Sequence, residues 1–192
     1  RPTIEAIDDP FQVERIEREL AHELGRNPAA RCAVSIALHD LVGKRVDLPL
    51  WRYWGLDPDA APETSYTVGI GEPETMADSA RRAADAGYGT LKVKVGTDDD
   101  RARVDAVATA APDVTLRLDA NEAWTPKEAV ANAEWLADYD VEFLEQPVPA
   151  ADPEGLRYVY EHSPLPVAVD ESCVTLADVP AVADRADVAV LK

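Results

Sequence analysis

The sequence predicts an α/β protein: a parallel (β/α) barrel, incomplete in this chain, preceded by a stretch of helices. Three observations carry that prediction. From about residue 65 onward, short β-prone apolar runs alternate with helical segments, the rhythm of a parallel sheet covered by helices. Five of the runs stop on a charged residue, Lys94, Asp119, Glu145, Asp170 and Lys192, roughly 25 residues apart, which is what one strand, one helix and two short loops consume. The turn after the first run, GIGEPE, lacks the G-x-G-x-x-G spacing of a dinucleotide-binding open sheet. A barrel gathers polar residues from successive strand ends at one mouth. Six strands are too few to close one.

The elements follow in order. Asp8, Asp9 and Pro10 supply a cap and a first-turn proline for a helix reaching about Leu24, with Gly25 placed to end it. Asn27-Pro28 restarts a helical pattern through Ala33, Ile36, Ala37, Asp40 and Leu41 until Gly43. LPLWRYWGL then packs aromatic bulk at a turn. SYTVGI reads as the first strand, 73–86 as a helix, 90–95 as a strand and 98–111 as a helix, and the alternation continues to the end. Glu72-Pro73, Thr125-Pro126 and Asp152-Pro153 mark helix starts. The expected division is a helical portion over 1–63 and barrel strands over 64–192. The chain opens on Arg1 rather than methionine and stops inside an apolar run, so both ends read as cut.

Composition narrows the function. Acidic residues number 37 against 19 basic, for a formal charge of −18; this balance disfavours nucleic acid or an anionic membrane surface as partner. Runs such as Asp98-Asp99-Asp100 and Glu17-Arg18-Glu19 place that acidity on solvated helix faces, a composition suited to high salt. Cys32 and Cys173 stand far apart without metal-ligand spacing, so a reduced cytoplasmic setting is expected. No apolar run approaches the roughly 20 residues that span a bilayer, and no signal peptide precedes the first helix.

The charged strand ends define a chemistry. Asp119, Glu145 and Asp170 offer hard oxygen ligands from three successive strands, a set that suits Mg²⁺. Helix capping explains any one of them, but gives no reason for three consecutive strand ends to be acidic. Lys92 and Lys94 lie two apart and so share a strand face. Mutual repulsion between them is expected to depress the pKa of at least one into the range of a usable base. Lys192 would enter from the far side of the metal. Two amines flanking a carbon beside a metal-bound carboxylate permit proton removal on one face and return on the other, provided the enediolate is stabilised as it forms. His22, His39 and His162 fall outside the ladder and read as surface or packing residues.

In order and spacing, KVKVG, LDANEAW, FLEQPVP, VDES and the closing VLK resemble the enolase superfamily, specifically its muconate-lactonizing-enzyme subgroup. RCAVSIALHDLVGKRVDLPLWRYWG is similar to the helical end of that family's α+β capping domain, so the resemblance covers nearly the whole chain. It implies an enolase/TIM-type barrel with Mg²⁺ on Asp119, Glu145 and Asp170, and acid/base roles for Lys94 and Lys192. It further implies that Lys92 tunes Lys94 and touches the substrate carboxylate, while Asn121, Gln146 and Glu171 support the ligands from behind. Glu171 rivals Asp170 as a ligand, and the family pattern favours Asp170. SYTVGIGEPETMA and LDANEAWTPKEA look most like dipeptide epimerases, where Thr67 matches a threonine near the substrate. The partner implied is a small carboxylate such as a dipeptide, with a homo-oligomer left open. o-Succinylbenzoate synthase, muconate cycloisomerase and N-acylamino acid racemase are the alternatives within the subgroup. A non-catalytic fragment is the alternative outside it.

Overall fold

The computed structural model describes residues 7, 9–25 and 27–191, and its chain divides into two compact units, one up to Pro62 and one from Glu63 onward. In the first unit, α1 (Val13–Glu23) and α2 (Pro28–Val46) join over Ile16, Leu20 and Leu38, with Ile7, Val13, Leu24 and Val34 packed alongside. A short helix, α3 (Leu50–Tyr53), and a 3₁₀ turn, Pro58–Ala60, follow.

Three expectations fail in this unit, the first two for a local reason. The first helix begins at Val13 because Asp9 is used in a turn, where its Oδ1 accepts from the Phe11 amide at 3.0 Å; Asp8 lies outside the described residues. Gly43 does not end α2. The helix runs on to Val46 and is stopped by Asp47 at φ 56°, while Gly43 allows the returning chain close, since a Cβ there would sit 3.0 Å from the Leu48 carbonyl oxygen. The aromatic segment is not packed away: Trp51, Tyr53 and Trp54 are all exposed.

The second unit alternates strictly. Its elements are β1 (Tyr66–Val68), α4 (Pro73–Asp85), β2 (Thr90–Lys94), α5 (Asp100–Ala110), β3 (Thr115–Asp119), α6 (Pro126–Leu136), β4 (Val141–Glu145), α7 (Pro153–His162), β5 (Val167–Val169), α8 (Val179–Val182) and β6 (Val188–Ala189). The strands form one six-stranded parallel sheet in chain order, as a barrel wall requires and a doubly wound sheet does not. Helix starts use the local chemistry the sequence advertises. Thr125 and Glu128 form a reciprocal capping box, Asp152 accepts from the Gly155 amide at 2.9 Å, and prolines occupy the first turns of α4, α6 and α7.

Period-2 alternation divides the two faces of the sheet. Leu91, Val93, Leu116, Leu118, Leu144, Val167 and Val169 join Met76, Ala80, Val104, Val107, Ala129, Ala133, Leu136, Leu156 and Val159 in one buried cluster between sheet and helices. Each such leucine contributes roughly 1.5–3 kcal/mol by leaving water. Lys92, Lys94, Arg117, Asp119, Phe143 and Glu145 occupy the alternate positions on the other face. Because one face is fully apolar, the phase of every strand is fixed, and with it the direction of the charged residues.

Candidate active site

Register decides which charged residues meet. Thr67, Lys92, Arg117 and Phe143 are paired across β1 to β4 as one layer, and Lys94, Asp119 and Glu145 as the next. Glu145 pairs with Ala168, so Asp170, two residues on, lies on the same side of the sheet. A bulge makes this alignment. Leu116 pairs with Val141 but Arg117 pairs with Phe143, so Glu142 is left over, exposed, and takes the Arg117 Nε at 2.6 Å. Without that extra residue Leu144 would stand opposite Asp119, and Glu145 would point elsewhere.

The carboxylates are buried and knitted to the lysines. Asp119 is 0 % exposed, Glu145 2 % and Asp170 9 %. Lys92 Nζ lies 2.8 Å from each Glu145 oxygen and 2.8 Å from Asp119 Oδ2, while Lys94 Nζ donates to the same Asp119 oxygen at 2.6 Å and also to Asn121 Oδ1. Asn121 passes the connection on: its backbone amide donates to Asp119 Oδ1 at 3.0 Å and its Nδ2 to Glu171 Oε1 at 3.1 Å. Gln146, fully buried, joins the ends of β4 and β5. Its Oε1 accepts from the Asp170 and Ser172 amides at 3.0 Å each, and its Nε2 donates to the Val148 carbonyl at 2.9 Å and Ser172 Oγ at 2.7 Å.

These contacts shape the electrostatics. Burial alone pushes the Asp119 carboxyl up, but hydrogen bonds from Lys92, Lys94 and the Asn121 amide outweigh it and hold the group below the usual carboxylate range. Glu145 moves the other way: burial raises it, and the charges of Asp119 and Asp170 add to burial, against the lowering from Lys92. Burial pulls Lys92 down, yet the hydrogen bonds and charges of Asp119 and Glu145 more than offset that, so it is raised. The expected depression by its lysine neighbour is therefore not what governs Lys92. Two carboxylates at 2.8 Å outweigh one ammonium.

The structure thus brings together Lys92, Lys94, Asp119, Asn121, Glu145, Gln146, Asp170 and Glu171. Thr67 sits exposed beside Lys92 in register. Lys192 lies outside the described residues. Trp124, which closes the LDANEAW segment, is buried in the core. Asp100, assigned to a solvated run, is also buried: it accepts from the Gly96 and Thr97 amides and from Thr97 Oγ1, tying down the loop after Lys94. Asp100 and the bulge at Glu142 carried no distinctive sequence signal, since one looks like surface charge and the other like a strand residue.

A hard cation fits this donor set. Among the described residues four carboxylates, Asp119, Glu145, Asp170 and Glu171, gather at these strand ends; Asp119 and Glu145 take the ammonium groups of Lys92 and Lys94, and Glu171 Oε2 is buried with no hydrogen-bond partner. No three acidic, histidine or cysteine groups among the described residues are already arrayed around a common metal position, because Lys92 spans the oxygens of Asp119 and Glu145.

Residues 75–192 match the enolase C-terminal domain-like family. The chain belongs to that family. Among its relatives is a hydrophobic dipeptide epimerase of Enterococcus faecalis, 43% identical over 173 residues that span 88% of this chain and 49% of the relative. An L-Ala-D/L-Glu epimerase of Bacteroides thetaiotaomicron is 35% identical over 93% of this chain and 46% of its own. The crystal structure of the E. faecalis dipeptide epimerase complexed with Mg and L-Leu-L-Tyr superposes with a TM-score of 0.86 at 41% identity, covering 96% of this chain and 53% of that one. That of a Cytophaga hutchinsonii dipeptide epimerase complexed with Mg and D-Ala-L-Val gives 0.84 at 28% identity, over 95% and 51%. The chain spans about half the length of the family members it matches.

Proposed function

We propose that this chain is the metal-binding part of a Mg²⁺-dependent epimerase that inverts the carbon next to the carboxylate of a dipeptide. The observation that carries the reading is a lysine, Lys94, held at the strand ends beside buried Asp119, in register with Glu145 and on the same side of the sheet as Asp170. Relatives named as dipeptide epimerases, two of them solved with Mg and a dipeptide, support it. Asp119, Glu145 and Asp170 would hold the ion. When bound, Mg²⁺ supplies positive charge to the substrate carboxylate as negative charge builds there on proton loss.

The protein's own residues do the rest. Lys94 removes or returns the α-proton on one face and Lys192 on the other. Lys92, anchored between Asp119 and Glu145, presents a fixed cation to the substrate carboxylate. Asn121 and Glu171 orient Lys94, Gln146 fixes the β4 and β5 ends, and Thr67 borders the substrate. The helices before Pro62 serve as the helical part of a capping domain. The acidic balance favours a salt-tolerant enzyme with a small-molecule substrate rather than nucleic acid or membrane, and the free thiols of Cys32 and Cys173 favour a reduced, cytoplasmic setting; no helix among the described residues is long and apolar enough to cross a bilayer.

A dipeptide library incubated in D₂O with the full-length protein and Mg²⁺ tests the reading by mass gain at the α-carbon. Lys94→Ala is expected to abolish epimerisation while leaving Mg²⁺ affinity largely intact. Turnover of the succinylbenzoate precursor, with no mass gain in any dipeptide, would replace this reading with a dehydratase.

A further inference from the structure

The loop after β3 holds two consecutive left-handed residues that are not glycine, Asn121 at φ 43° and Glu122 at φ 68°. Asparagine enters that conformation more readily than most residues, but a glutamate takes it when its surroundings impose it, and such positions cluster at functional sites. Here the neighbouring loop after β4 imposes it. The Glu122 amide donates to the Gln146 carbonyl at 2.9 Å and the Trp124 amide to the Pro147 carbonyl at 3.0 Å. Glu122 Oε1 accepts from the Ala150 amide at 2.7 Å, and this is the tie that a side chain makes. Immediately before it, Asn121 grips Lys94 Nζ through Oδ1 and Glu171 through Nδ2.

We propose that Glu122 is a positioning residue for Lys94: by clamping the Ala150 amide it holds the left-handed turn that aims the Asn121 carboxamide at the Lys94 ammonium. Glu122 touches neither the lysine nor the carboxylates grouped around it. It acts through one backbone angle and one amide. The proposal rests on the reading of Lys94 as the acid/base group on one face of the substrate, which gives it a consequence that general destabilisation lacks. Misaiming Lys94 slows proton exchange on that face alone.

The test uses the full-length protein with Mg²⁺ and two variants. Glu122→Gly deletes the carboxylate and is at ease at positive φ, whereas Glu122→Gln retains an oxygen that accepts from Ala150. Initial α-deuterium uptake in D₂O is measured from each epimer of a dipeptide substrate, and amide hydrogen exchange is followed at Ala150. In Glu122→Gly, uptake from the epimer whose proton faces Lys94 should fall about tenfold or more, as sub-ångström misplacement of a catalytic group does, while the other epimer changes by less than about twofold. Exchange at Ala150 should quicken. Glu122→Gln should restore both. Equal losses from the two epimers, no loss from either, unchanged Ala150 protection in Glu122→Gly, or no rescue by Gln overturns the proposal. Wild-type protein that exchanges neither epimer overturns the epimerase reading itself, and the Lys94 half of this proposal with it.

Discussion

Gly96, two residues beyond Lys94, is the most exacting backbone position near the site. Its φ is +112°, and a Cβ placed on it would come within 2.5 Å of the Ala123 Cβ and 3.1 Å of the Ala120 carbonyl oxygen. Two costs follow for Gly96→Ala. The backbone cost of an L-residue at positive φ is about 1–2 kcal/mol, and overpacking against a closely held neighbour adds about 1–3 kcal/mol, so a loss of about 2–5 kcal/mol is expected. Gly87 separates the two, because its φ is +93° but nothing lies within 4 Å of the place a Cβ would take. Gly87→Ala should therefore cost only about 1–2 kcal/mol. Urea denaturation of both variants and of Gly96→Ala/Ala123→Gly checks the partition. The second substitution removes the 2.5 Å contact and should show favourable coupling of about 1 kcal/mol or more. If Gly96→Ala is no worse than Gly87→Ala, or if Ala123→Gly adds without coupling, the close approach of the two loops does not constrain this glycine.

Other expectations follow from the same contacts. Asp119→Asn keeps the shape but removes the charge that both lysines share, so Mg²⁺ affinity by calorimetry should fall at least tenfold, by the order of a lost charge-assisted contact; unchanged affinity removes Asp119 from the ligand set. The Thr125 hydroxyl and amide hold the Glu128 carboxyl below its ordinary value. A group depressed in the folded state stabilises fully above its unfolded pKa, and that stabilisation is lost as pH falls through the folded value. Glu128→Gln should accordingly lower the urea midpoint at pH 7 and converge with wild type in strong acid; a constant offset at every pH contradicts the capping-box account. With a formal charge of −18, self-repulsion should weaken as salt screens it, so Tm should rise steadily with KCl. A flat or falling Tm would argue against a surface adapted to salt.

Much of the site could be read before any contact was known. Lys94, Asp119 and Glu145 sit at strand ends in the sequence because β-prone runs stop there, and they sit at strand ends in the fold. The runs themselves are recognisable because Leu91, Val93, Leu116 and Leu118 alternate with polar residues, and alternation is the mark of two unlike faces. Helix starts at Pro73, Pro126 and Pro153 were equally legible, since proline and a cap act within one turn. Less visible was anything that depends on a second segment. Asp100 looks like one more surface carboxylate until the amides of Gly96 and Thr97 close over it, and Gly43 looks like a helix stop until Leu48 returns against it.

Residue types along each run thus determined which side of the sheet the lysines and carboxylates face, because burying Leu91 or Leu118 forces their neighbours to the other side. Which of those residues stand beside one another depended on pairing between strands. The extra residue at Glu142 shifts β4 by one position and sets Glu145, instead of Leu144, opposite Asp119. The pKa of Lys92 depended on pairing too: its neighbour two residues along the strand is a lysine, but its nearest charges come from β3 and β4. Facing is a property of one strand's periodicity. Register is a sum over hydrogen bonds and packing between strands, and a single run of residues does not contain it.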